Sequence, residues 1–198
     1  MGCAMRSVGT PGAIGIQGYL PDISNGEKCP FVPIFLLYCI QEPLFPMPNS
    51  YTQIHIQFVF AVRYRAGLIK NEWKERLHQY MTGMFQENKH KMLQINSMPD
   101  HIHIFIGMRP DQSISSLIQT IKSESSKWIK AKKLSNSFAW QEGYGAFSYA
   151  KSQVDDVIRY IQNQEIHHRR VTFLDEYRKF LTAFGIEWDE RYIFKELE

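Results

Sequence analysis

The sequence predicts an α+β domain of the ferredoxin-like, split βαβ class, an antiparallel sheet with helices packed on one face. Three observations carry this. Alternating and helix-periodic segments follow one another in the order strand, helix, strand, strand, helix, strand. The two middle strands are joined only by Met98-Pro99-Asp100, which suits a tight hairpin. A chain of 198 residues with 44% hydrophobic content can bury one well-packed core, which excludes a disordered chain.

Each element has its own reason. In the first strand, about residues 51–63, Ile54, Ile56, Phe58 and Phe60 alternate with Gln53, His55, Gln57 and Val59. That pattern predicts a half-buried strand with His55 toward solvent. Residues 71–89 bring Trp73, Leu77, Tyr80, Met81, Met84 and Phe85 onto one helical face, with Asn71 placed to cap the start. Met92 to Ser97 and His101 to Met108 form the hairpin. A second helix from about Ser113 to Lys133 turns Ile114, Leu117, Ile118, Ile121 and Ile129 inward. The aromatic, glycine-punctuated stretch Phe138 to Tyr149 reads as a strand, and a third helix runs from about Ser152 to His168. Beyond it, Thr172 stands three residues before Asp175 as a cap. Phe173, Tyr177, Phe180, Leu181 and Phe184 then stripe a fourth helix that packs on the core or on another subunit.

Composition divides the chain. The first 50 residues hold all three cysteines and seven of the nine prolines, while every tryptophan and histidine lies beyond them. We read residues 1–46 as a Pro/Gly-rich leader extraneous to the domain, with Met47 as the natural start, and residues 47–198 as the domain. The apolar run Phe35 to Ile40 is too short to span a bilayer and lacks a cleavage signature. A cysteine-free domain fits a cytoplasmic protein without a disulfide framework. Residues 51–198 carry 21 basic and 17 acidic side chains, a mild excess that permits a nucleic-acid partner.

Two constellations carry chemistry. Strand alternation puts His101 and His103 on one face and sends Ile102, Ile104 and Ile106 into the core. Two imidazoles one strand repeat apart are positioned to share a metal ion; packed or surface histidines are the alternative. On the third helix, Val154, Val157, Ile158 and Ile161 make the buried stripe, and Tyr160 and Gln164, four residues apart, share a neighbouring face.

Taken with Tyr51 to Val62, Met98 to His103 and Trp140 to Ser148, these residues make the chain from about 50 to 195 resemble the single-tyrosine HUH transposases of bacterial insertion sequences. The resemblance is to the TnpA family, within the superfamily of REP-associated tyrosine transposases. It implies that His101, His103 and Gln164 are metal ligands and that Tyr160 is the nucleophile. The expected ion is Mg²⁺ or Mn²⁺. The expected substrate is single-stranded DNA with hairpin ends, cleaved and rejoined through a 5′-phosphotyrosine. Tyr144 and Tyr149 are rival nucleophiles, and Gln153 repeats the four-residue spacing after Tyr149. One nucleophile per chain allows one cleavage, whereas excision needs two, so a homodimer is expected. In the family the tyrosine helix usually acts in trans.

The basic residues expected to meet phosphates are Arg109, Lys122, Lys127, Lys130, Lys132 and Lys133, with His168, Arg169 and Arg170 beside the tyrosine helix. Trp128 is a candidate base-stacking residue or core. Three other readings stand: a domesticated relative acting on host palindromes, a non-enzymatic binder using its sheet as a platform, and a phosphodiesterase in which water attacks.

Overall fold

The structure, a computed structural model, describes residues 51–193. The expected leader and Met47 lie outside the described residues. Within them the chain order is β1 (Ile54–Ala61), α1 (Asn71–Glu87), β2 (Lys91–Ser97), β3 (His101–Met108), α2 (Ile114–Ala131) and β4 (Gly145–Tyr149). Then come α3 (Val154–Gln162), α4 (Gln164–His167) and α5 (Phe173–Ala183). The sheet runs β2-β3-β1-β4 and every pairing is antiparallel. This is the split βαβ arrangement the alternation predicted, with β1 and β3 at the centre.

Register explains the core. Phe58 lies opposite Ile104 and Phe60 opposite Ile102, so the even-numbered side chains of both central strands share a face. They pack on Trp73, Leu77, Met81 and Phe85 of α1 and on Leu117, Ile118, Ile121 and Ile129 of α2. Burying each such side chain is worth roughly 1.5–3 kcal/mol, so this layer dominates stability.

The opposite face differs from the expectation. Odd-numbered positions are covered too: Val59, Ala61 and Phe147 pack on Phe173, Tyr177 and Leu181 of α5, and Phe105 packs on Val154, Val157 and Ile161 of α3. Helices therefore cover both faces, and β1 is buried along almost its whole length. The amphipathic stripe of α3 and the aromatic stripe of α5 need an apolar partner, which Val59, Ala61, Phe105 and Phe147 provide. His55 is buried in consequence, with its ring 6.2 Å from Phe105.

Helix ends show local chemistry. Asn71 does not cap α1: it is the first helical residue, and Lys70 holds the cap position without a side-chain bond. The buried Ile69, whose amide donates to the Pro99 carbonyl at 2.9 Å, fixes that entry. At its other end α2 stops at Ala131, with Lys133 in the left-handed region (φ 55) and Leu134 N–H bonded to Ile129 C=O, a Schellman closure. Thr172 does cap α5, accepting from Asp175 N–H.

The predicted third helix is broken. α3 ends at Gln162 and α4 begins at Gln164, with Asn163 between them turning its side chain back to the Arg159 carbonyl at 2.8 Å. Asn96 of β2 takes the Ile161 carbonyl at 2.8 Å, which satisfies the end of α3 and ties it to the sheet.

Candidate metal and nucleophile site

His101 and His103 project from β3 toward the face that α3 and α5 cover, and both are fully buried. Each ring is fixed from behind. His101 Nδ1 lies 2.8 Å from Asp100 Oδ1, and Asp100 is in turn gripped by Arg65 through Nε (3.0 Å) and Nη2 (2.8 Å). The histidine and arginine bonds overcome the cost of burial and hold the Asp100 carboxyl at about 2, so it stays charged. Burial pushes His101 down to about 4, against the pull of Asp100. Its neutral ring therefore donates through Nδ1 and keeps a lone pair on Nε2.

His103 is set by Gln57. The Gln57 amide lies between His103 Nδ1 (3.0 Å) and the Tyr149 hydroxyl (2.9 Å). With the Gln57 oxygen toward the ring, His103 donates from Nδ1 and its Nε2 is a ligand; with the nitrogen toward it, the ring proton sits on Nε2. An amide rotation exchanges the two states without moving either neighbour.

The tyrosine and glutamine meet on a residue that sequence reasoning did not single out. Glu176, buried on α5, accepts hydrogen bonds at Oε1 from the Tyr160 hydroxyl and from Gln164 Nε2 (3.0 Å). Its Oε2 lies 3.4 Å from His103 Nε2 and 3.3 Å from His168 Nε2. Burial alone would raise the Glu176 carboxyl, but His103 and His168 hold it well below the usual carboxylate range. The Tyr160 phenol is pushed well above its ordinary value, first by burial and then by the Glu176 charge.

His168, expected among the DNA contacts, turns its ring inward instead. Its Nδ1 lies 3.0 Å from the Val171 carbonyl and its Nε2 3.0 Å from His101 Nε2. Burial would lower its pKa, but Glu176 raises it. His101, His103, His168 and Glu176 thus offer four ligand atoms, all within 4.8 Å of one another.

The expected ligands fit a cation. Of these, His103 Nε2 and Gln164 Oε1 are buried without a hydrogen-bond partner, as is Glu176 Oε2, while His101 Nε2 faces His168; buried polar groups are normally satisfied. A cation bound there would supply what they lack.

Of the rival tyrosines, Tyr149 is occupied by Gln57, and Gln153 accepts from its own Ala150 amide. Tyr144 packs edge-on to Phe58. Neither reaches Glu176 in the way Tyr160 does. The expected phosphate contacts divide. Lys130, Lys132, Lys133, Arg169 and Arg170 are exposed, while Lys127 pairs with Glu124 at 2.7 Å and Arg109 with Asp111 at 3.0 Å. Lys122 points inward, its ammonium donating to the Gln141 carbonyl (2.7 Å) and the Gly143 carbonyl. Burial lowers its pKa to about 8. Trp128 stacks on Tyr80 at 5.0 Å, a packing role. Among the described residues, no helix is long and apolar enough to cross a membrane.

Comparison with known proteins agrees with the motifs. The family described as "Transposase IS200 like" matches residues 50–164. The ISDra2 transposase TnpA of Deinococcus radiodurans is 20% identical over 118 residues, covering 57% of this chain and 84% of the relative. Among solved structures, a REP-associated tyrosine transposase bound to a REP hairpin aligns with TM-score 0.47 and 17% identity, over 76% of this chain and 96% of that one.

Proposed function

The chain belongs to the family of IS200-like transposases, and from that membership we propose that it cleaves and rejoins single-stranded DNA at element ends through a covalent bond to Tyr160. The observation that supports this most is the convergence of Tyr160, Gln164 and His103 on one buried carboxylate, Glu176. A phenol is a weak nucleophile at neutral pH and needs a site that positions it.

In this reading His101, His103 and Gln164 hold Mg²⁺ or Mn²⁺. A divalent ion held there would supply Lewis-acid polarisation of the scissile phosphate. Asp100 and Gln57 fix the two imidazoles from behind. Glu176 holds the Tyr160 hydroxyl in place while it is protonated. Tyr160 Oη forms the bond to phosphorus and gives up its proton as the P–O3′ bond breaks and the departing 3′-oxygen takes up a proton to become a 3′-hydroxyl; reversal by a 3′-hydroxyl restores a phosphodiester of similar energy without ATP.

Arg169 and Arg170 lie just past the site, and Lys130, Lys132 and Lys133 at the end of α2; all are exposed and available to phosphates of a hairpin substrate. Two cleavages per excision require two copies of Tyr160, so we propose a pair of chains. Within the single chain the rings of Tyr160 and His103 lie 6.2 Å apart. The sheet-platform reading loses support because α1 and α2 cover one face and α3 and α5 the other.

Incubation with labelled single-stranded hairpin DNA and Mn²⁺ or Mg²⁺, followed by denaturing electrophoresis, tests the proposal. A slow-migrating adduct that persists in Tyr149→Phe and vanishes in Tyr160→Phe is expected. Cleavage without an adduct would point to a hydrolase, and binding without cleavage to a binding protein.

A further inference from the structure

Three imidazoles and a carboxylate meet where the reading above needs two imidazoles and an amide. The surplus pair, His168 and Glu176, lies beyond the residues that match the family. Their geometry is specific. His101 and His168 anchor Nδ1 on oxygens of Asp100 and Val171, so the Nε2 atoms, 3.0 Å apart, face each other as two lone pairs. Two acceptors at that separation require a cation between them, either a proton or a metal ion.

Two further separations are compatible with a metal ion. Glu176 Oε2 is 3.3 Å from His168 Nε2 and 3.4 Å from His103 Nε2. A tetrahedral ion with bonds of about 2.0–2.1 Å holds its ligands about 3.3–3.4 Å apart. Once the Gln57 amide turns its oxygen to His103 Nδ1, an ion there also serves His103 Nε2 and Glu176 Oε2, which are buried and 3.4 Å apart.

We propose that this chain has a second coordination mode, in which His101, His103, His168 and Glu176 hold a tetrahedral ion of the Zn²⁺ or Co²⁺ class. The mode rests on the metal site proposed above and shares its two strand histidines, but replaces Gln164 with two donors from the C-terminal segment. Nitrogen-rich sets favour such borderline ions over Mg²⁺, which prefers six oxygen ligands. Four protein donors also leave no position for a phosphate, the mark of a closed site. Since Glu176 also holds Tyr160, this mode keeps ion and nucleophile in a resting arrangement. DNA cleavage needs Glu176 to release both.

The test is titration of the metal-stripped full chain with Co²⁺, followed by visible absorption. Strong four-coordinate bands, abolished by one equivalent of Zn²⁺, are expected from the unaltered protein, and that spectrum decides the matter alone even where variants fold poorly. Competition with a chromophoric chelator should show Zn²⁺ affinity falling at least about tenfold in His168→Gln and in Glu176→Gln, with little change in the distant Lys130→Gln. A weak six-coordinate spectrum, or unchanged affinity in both folded variants, would overturn the second mode while leaving Mn²⁺-dependent adduct formation standing. Four-coordinate bands in a protein that forms no DNA adduct would support this mode and count against the proposed activity.

Discussion

The Tyr160 hydroxyl donates its hydrogen to Glu176 Oε1, across sixteen residues of sequence and from one helix to another. That bond ties the proposed nucleophile to a carboxylate whose second oxygen faces His103 and His168. Whatever moves α5 therefore moves the tyrosine's partner.

Gly145 gives one way to move it. A Cβ there would lie 2.8 Å from Phe147 and 2.9 Å from Tyr177, both buried rings. Gly145→Ala is expected to push α5 away from the sheet and to cost about 1–3 kcal/mol, as overpacking does. Urea denaturation measures the cost; an unchanged midpoint would show that the rings yield freely.

Gln57 tunes the site without facing it. Gln57→Leu removes the partner of both His103 Nδ1 and the Tyr149 hydroxyl. Loss of such support typically weakens a metal site about 10–100-fold, so Mn²⁺ affinity measured by calorimetry should fall within that range.

His78 makes stability depend on pH. Its Nε2 lies 2.9 Å from Ser97 Oγ, and burial, reinforced by the Lys74 charge, lowers its pKa from 6.5 to about 4. Between those values the unfolded chain binds the extra proton, so the contribution is complete above pH 6.5 and is lost as pH falls toward 4, on the order of 3 kcal/mol. His101 shifts in the same direction. The readout is thus the difference between wild type and His78→Gln, whose stability should fall less steeply from pH 7 to pH 4.5.

The basic residues should separate by role. Arg169→Ala with Arg170→Ala is expected to weaken hairpin binding and flatten its salt dependence by about 0.7–0.9 in logarithmic slope per arginine. Lys122→Met should leave hairpin affinity unchanged and lower the melting temperature, because its ammonium holds the carbonyls of Gln141 and Gly143. A loss of DNA affinity in Lys122→Met would show that the side chain swings outward.

Much of this was legible in the sequence where periodicity is strict. Ile102, Ile104 and Ile106 could face the core only if His101 and His103 faced away, and so they do. The helix break at Asn163 was not legible, because it depends on Asn96, distant in sequence, capturing the Ile161 carbonyl. Glu176 escaped notice as one more acid in the first turn of a capped helix. Its position did carry a signal: Phe173 stands three residues before it and Phe180 four after, so it interrupts an apolar stripe that a solvated carboxylate would avoid. His168 was masked by its neighbours, since Arg169 and Arg170 made a basic run out of what is partly an inward-facing ligand.

Because α5 supplies both a face of the core and Glu176, order in the tail and occupancy of the site are thermodynamically linked. An ion gripping Glu176 restrains Phe180 and Leu181 on the same helix, and fraying of that helix weakens the grip by an equal free energy. Amide hydrogen exchange along residues 173–183 would thus act as a gauge of site occupancy, slowing as the ion binds and quickening as substrate draws the carboxylate away.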